Sequence, residues 1–114
     1  MILDSLHNLI LEKNVLGYCF SDWDGIPVKS EGSVPEALAP LVVQLLKVWS
    51  GDIDESWREI RYTDNIYHIC AGEAGVLVVL ADAKVNVGLM RLRAGELFGL
   101  INEKLHGLFD QREN

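Results

Sequence analysis

The 114-residue sequence is short of positive charge, of cysteine and of long apolar runs, and each shortage removes a class of function. Ten Lys and Arg against 17 Asp and Glu leave a formal charge of −7. That balance repels phosphate backbones and anionic membrane surfaces, so no nucleic-acid partner is expected. The longest apolar stretches, residues 75–81 and, broken only by Gln44, 41–46, fall far below the roughly 20 residues of a membrane-spanning helix, so no membrane insertion is expected. The N-terminus carries Asp4 where a secretory leader would carry positive charge, and no small-residue cleavage site follows its apolar part; a cytoplasmic protein is expected. Only two cysteines occur, Cys19 and Cys70, inside apolar strand-like runs without C-x-x-C spacing, which predicts buried reduced thiols rather than a disulfide or metal site.

Chemical motifs are equally scarce. Neither G-x-G-x-x-G nor G-x-x-x-x-G-K-[ST] occurs, so the chain has no phosphate-cradling loop of known type. No serine sits in a G-x-S-x-G elbow. His7, His68 and His106 fall on different elements with no His or Cys three or four residues away, so neither metal nor cofactor is expected. Asp22 and Asp24 in D-W-D-G resemble the start of a calcium loop but lack its remaining ligands and closing Glu. A turn held by Asx hydrogen bonds accounts for them, with Gly25 free to take positive φ and Asp24 structural. With 49% hydrophobic and 24% charged residues, the composition is that of one folded domain over residues 1–114.

What is present is a regular alternation of apolar patterns. Ile2, Leu3, Leu6, Leu9 and Ile10 recur at steps of three and four, predicting an amphipathic helix that stops near Asn14. The run VLGYCFSD reads as a strand, D-W-D-G as a turn and IPVKS as a second strand, which Pro27 assigns to a sheet edge. Ser33-Val34-Pro35-Glu36 has the form of a capping box, predicting a helix from there to Trp49. Three strands are expected next, over residues 57–63, 66–71 and 75–81, with turns at Asp64-Asn65 and Glu73-Ala74-Gly75. The first alternates and so should be partly exposed, whereas VLVVLA is apolar on both faces and belongs in mid-sheet. Asn86 should cap a final helix with Met90, Ala94, Leu97, Phe98, Ile101, Leu105 and Leu108 along one side. The order α-β-β-α-β-β-β-α fits a three-layer α/β/α architecture around a five-stranded antiparallel sheet.

The middle helix stands out. Leu38, Val42, Leu45 and Trp49 centre its apolar face, with Ala37, Leu41 and Val48 on one side and Ala39, Val43 and Leu46 on the other. This arc spans roughly 240°, where packing on one core needs only about 100°. Glu36, Gln44 and Lys47 are all that remain for water. Such a surface calls for a partner. Burying roughly 600 Å² of it would gain about 15 kcal/mol, against association costs of about 4–15 kcal/mol. Trp23 at a turn tip, Trp49 on this helix and Trp57 opening a strand add candidate contact residues, since Trp is enriched at interface hot spots.

Two segments resemble the Roadblock family of dynein light-chain-like domains, which includes MglB-type small-GTPase regulators and Ragulator-type scaffolds. ADAKVNVGLMRLRAGEL, residues 81–97, is similar to the family's strand end, loop, Asn-x-Gly and helix entry; SDWDGIPV, residues 21–28, is similar to its first hairpin. The resemblance implies strand order 2-1-5-4-3, with the first and last helices on one face and the middle helix on the other. It further implies a non-enzymatic scaffold, a homodimer or a pair with a second Roadblock-type chain, that binds and regulates a small Ras-like GTPase. The alternatives are an adaptor subunit of a larger motility, polarity or trafficking complex, or a small-ligand sensor. On this resemblance the pairing surface comprises Leu38, Leu41, Val42, Leu45, Leu46 and Trp49 of the middle helix with Trp57, Glu59, Ile60, Arg61 and Thr63 of the third strand. Trp23, Ala39, Val43 and Lys47 are the expected contacts to a further partner. Beyond the last helix only residues 110–114 remain, so contacts made by a longer tail are not expected.

Overall fold

The computed structural model describes the backbone of residues 2–49 and 57–113 and the side chains of residues 3–48 and 57–104. The expectations for the Trp49, Leu105, His106 and Leu108 side chains and for the acidic loop at Asp52, Asp54 and Glu55 lie outside the described residues. A 3₁₀ segment, Ile2–Leu9, leads into β1 (Val15–Ser21) and β2 (Pro27–Gly32), followed by helix α1 (Leu38–Trp49). Strands β3 (Arg58–Tyr62), β4 (Asn65–Gly72) and β5 (Gly75–Asp82) then precede helix α2 (Val87–Glu113). The strands form one antiparallel sheet in the order β2-β1-β5-β4-β3. It is the order that the sequence resemblance implies.

Each face of the sheet carries its own core. Tyr18 and Phe20 of β1, Cys70 of β4 and Leu77 and Val79 of β5 pack against Leu6 and Leu9 of the 3₁₀ segment and Met90, Ala94, Phe98 and Ile101 of α2. On the opposite face Cys19, Ile69, Ala71, Val76, Val78 and Leu80 pack against Ala39, Val42, Val43 and Leu46 of α1. Strand β5 supplies both cores because successive side chains point to opposite faces. Every residue from Gly75 to Ala81 is buried, as the unbroken apolar run predicts for a central strand.

The local structure departs from expectation where a short-range preference overrides the apolar pattern. The first element is a 3₁₀ segment, not an α-helix: Leu3, Leu6 and Leu9 repeat every three residues, the 3₁₀ period, while Asp4, Ser5, His7 and Asn8 are weak α-helix formers. Bonds from Ile10, Leu11 and Glu12 to the carbonyls three residues back continue the tight winding, and Asn14 ends it at φ 70°. Helix α1 starts at Leu38, so the capping box expected at Ser33–Glu36 is not its N-terminus. Pro40 explains the shift. Starting at Leu38 leaves Pro40 in the first turn, where its missing N–H is not needed; a helix from residue 34 would put its ring against the Glu36 carbonyl.

At the β3–β4 hairpin the two-residue turn is Thr63-Asp64, one position earlier than expected, and Tyr62 pairs with Asn65. In the first hairpin Asp22, not Asp24, is the structural residue: its Oδ1 accepts from the amides of Asp24 and Ile26, both at 2.9 Å. Asn86 caps α2 as predicted, its Oδ1 accepting from the Leu89 amide at 3.0 Å.

Gly25 links the first hairpin to α1. It takes φ +81°, and a Cβ there would lie 2.7 Å from Pro40 Cα. Gly25→Ala should therefore cost about 1–3 kcal/mol through strain and displacement of the helix start, read as a lower urea midpoint. An unchanged midpoint would show that the turn is free to move away from α1.

Candidate interaction surface

Helix α1 divides its apolar residues between two faces. Ala39, Val42, Val43 and Leu46 are buried against the sheet, each below 5% exposed. Leu41, Leu45 and Val48 point away from it, at 67%, 41% and 80% exposure. With half-buried Leu38 they follow the steps 3-4-3, the spacing of a helix-pairing seam. The excess apolar arc read from the sequence is real, but half of the residues expected on the outer surface are core. Val42 and Leu46 lie in the core with Ala39 and Val43, because the sheet covers the side of α1 that carries all four. Lys47 is exposed beside the outer stripe.

Strand β3 lies at the sheet edge beside this helix. Ile60 points to the α1 side, where it pairs across the sheet with Tyr67. Leu38, Val42, Ile60, Tyr62, Tyr67 and Ile69 line an apolar groove of about 280 Å³ between α1 and this edge. Sequence reasoning placed Tyr62 only within the strand and missed its groove partners Tyr67 and Ile69 as members of the surface. Their alternation along two adjacent strands was the available signal. Thr63 lies past the strand, at φ 55° in the turn, with its hydroxyl donating to the Tyr62 carbonyl.

Glu59 and Arg91 form an ion pair at 2.6 Å on the opposite face of β3, tying the edge strand to α2. Arg91 also lies over the half-buried Trp57 ring, 5.7 Å from its centroid, and its Nη2 is 3.2 Å from Nδ1 of His68. Since a guanidinium only donates, Nδ1 accepts and the proton of neutral His68 sits on Nε2. That Nε2 and Arg91 Nε are buried with no hydrogen-bond partner among the described residues. Burial first, and Arg91 second, hold His68 below the usual imidazole range, with Glu59 acting the other way.

Trp23 is not a free contact. Its indole packs against the α1-side core and donates from Nε1 to the Gly72 carbonyl at 2.7 Å, fastening the first hairpin to the β4–β5 turn. Among the described residues no group of three His, Cys, Asp or Glu side chains is placed to hold a metal, and no helix is long and apolar enough to cross a membrane.

This combination of a 2-1-5-4-3 antiparallel sheet, one helix on one face and two N- and C-terminal segments on the other is the Roadblock fold. The chain is similar to the Roadblock/LC7 domain from Streptomyces avermitilis, with a TM-score of 0.73 at 13% identity over 88% of this chain and 93% of that one. It is also similar to the gliding protein MglB from Thermus thermophilus, at TM-score 0.69 and 18% identity over 90% and 89% of the two chains. For Myxococcus xanthus MglB the values are 0.71 and 21%, over 89% and 84%. No family model and no curated protein matches the sequence. The likeness at these identities is one of fold.

Unfolded His68 takes up a proton near pH 6.5, whereas the folded chain resists it to a lower pH. Between those two values the unfolded state binds more protons, so stability falls as pH drops below about 6.5, by up to about 1.4 kcal/mol per pH unit. Urea midpoints from pH 7.5 to 5 should drop for the native chain and drop less for His68→Phe. Equal losses in both would place the acid sensitivity elsewhere.

Proposed function

We infer that this protein is a non-enzymatic scaffold that works as a pair and binds a small Ras-like GTPase, biasing its nucleotide state. The carrying observation is the exposed Leu41, Leu45 and Val48 stripe beside the β3 edge and its apolar groove. One partner surface, a helix over an edge strand, would cover all three at once. The alternative of a small-ligand sensor has less support, because the groove offers the tyrosine rings of Tyr62 and Tyr67 but no convergent set of polar groups.

The two sheet edges differ in a way that supports pairing through β3. Strand β2 opens with Pro27, and the 3₁₀ segment is tied to it by Asp4–Lys29 at 3.3 Å and His7–Glu31 at 2.9 Å. Buried Tyr18 adds a 2.6 Å bond to the same Glu31 carboxylate. Strand β3 contains no proline. Edges without such protection invite pairing.

The GTPase partner rests on the sequence resemblance: scaffolds of this type act by holding a partner's switch regions in one arrangement. They add no catalytic group, so we assign none.

Leu45→Arg should weaken self-association roughly 100-fold or more, about 3 kcal/mol, because a cation would enter the helix seam. Sedimentation at micromolar concentration reads this, with Leu41→Arg as a second, more exposed site. An unchanged dimer in both variants would remove α1 from the interface. Adding the native chain to a bound small GTPase should change its hydrolysis or exchange rate. Binding with both rates at baseline would make the protein an adaptor.

A further inference from the structure

We propose that Glu59, His68 and Arg91 form a proton-operated clasp between the edge strand and α2: when His68 takes up a proton, Glu59 passes from Arg91 to His68 and Arg91 swings out to water. The clasp lies within one chain, so it stands whether or not chains pair. It gives a conformational role to three groups that the proposed function leaves unused.

The cluster is short of acceptors before any proton arrives. Among the described residues Arg91 Nη2 finds two, the Glu59 carboxylate at 2.6 Å and His68 Nδ1 at 3.2 Å. His68 Nε2 and Arg91 Nε are buried donors with no partner among the described residues. Protonation takes Nδ1 from the acceptors and adds it to the donors. The contact at 3.2 Å then joins two cations, and the Glu59 carboxylate is left to serve both.

Access to solvent decides which cation leaves. The His68 side chain is 0% exposed and sits in the sheet between Glu59 of β3 and Val79 of β5, so it cannot reach water without opening the ladder. The Arg91 side chain is 26% exposed on the helix, and rotamer changes alone carry its guanidinium outward. Its departure also returns the orphaned Nε to water, which relieves one of the two unmatched donors. Glu59 Oε1 is already 3.9 Å from His68 Nδ1, so a shift of about 1 Å makes a charge-assisted hydrogen bond.

The charges set against the ring are Glu59 from β3 and Arg91 from α2, while β5 presents uncharged Val79. Burial and Arg91 oppose the protonated ring and Glu59 favours it, which puts the exchange below the ordinary imidazole value of 6.5. The exchange changes what holds β3. With His68 neutral, the strand is bonded to β4 and tied across to α2; with His68 protonated, Glu59 closes on β4 and the tie to α2 is gone. Trp57, which packs on the α2-side core under Arg91, loses the guanidinium 5.7 Å from its ring centroid. Because β3 is a sheet margin, the change falls on an edge and not on the interior ladder.

The test follows Trp57 emission and the His68 ring in the full chain from pH 7.5 to 5. Native emission should move to the red in a single step below pH 6.5 while the far-UV dichroism holds, and Trp57→Phe should lose that step. Nitrogen NMR of the ring should show the Nε2–H tautomer above the step and protonation at the same midpoint. His68→Gln, whose amide oxygen still accepts from Arg91, should keep the neutral-pH emission throughout. Arg91→Ala should show the red-shifted emission already at pH 7.5 with no step, and it decides the matter even where a substitution at buried His68 disturbs folding. A step of native size in either variant overturns the clasp. So does protonation of His68 with no change at Trp57, a ring still neutral when the chain unfolds, or a step that coincides with loss of the far-UV signal.

Discussion

The structure depends on one mismatch: α1 is apolar around more of its circumference than a single sheet can cover. Four residues, Ala39, Val42, Val43 and Leu46, are enough to seal one face of the sheet. Leu41, Leu45 and Val48 are then left exposed among the described residues. No rotation of the helix relieves this, because turning the outer stripe inward would expose the inner one. The surplus is a property of the sequence that the fold can move but not remove. Under the proposed pairing, assembly would be the physical outlet for it.

The rest of the molecule fixes where that surplus is displayed. Strand β5, buried on both faces, anchors the sheet and leaves β2 and β3 as its margins. The polar contacts sit at those margins. At β2, Glu31 accepts from Tyr18 and bonds to His7, and these bonds hold the carboxylate below its usual range while burial and then Glu31 push the Tyr18 phenol up. At β3, Glu59 reaches Arg91 above the buried His68. Both clusters join an edge strand to the helical layer on the same side, so the edges cannot peel from the sheet without breaking a charged contact. A donor at His68 that is buried with no hydrogen-bond partner among the described residues is costly.

Strand order, two-sided burial of the last strand and the excess on α1 were legible because each follows from apolar periodicity or from the quoted Roadblock-like segments. The partition of α1 was not. A helical wheel shows how wide the apolar arc is, not which part of it the sheet takes, so Val42 and Leu46 were expected on the outside with Leu41 and Leu45. Pro40 was overlooked as a determinant of the helix start, although a proline at the seventh position of a helix begun at residue 34 is incompatible with its ladder. Trp23 was misread for a different reason. A Trp beside a turn looks exposed in sequence, but its indole N–H found the carbonyl of Gly72, 49 residues away. Contacts of that range leave no local trace.

The unequal edges also set how far assembly through the sheet can go. If both margins were open, pairing would propagate into a filament, since each added chain would present a fresh edge. Pro27 removes an amide donor from the β2 edge, so under the proposed pairing an assembly joined at β3 would end at two chains and close on itself. Such a pair would hide the α1 stripes and the two β3 edges and leave both α2 layers outward, where Leu89, Leu92 and Leu100 are 42%, 60% and 47% exposed in the single chain. The surface left to any third protein is then duplicated by symmetry. An asymmetric partner lying across the two-fold axis would occupy one such composite site and block its symmetry-related copy, so under the proposed function the pair would take one partner when the contact spans the axis and two when it does not.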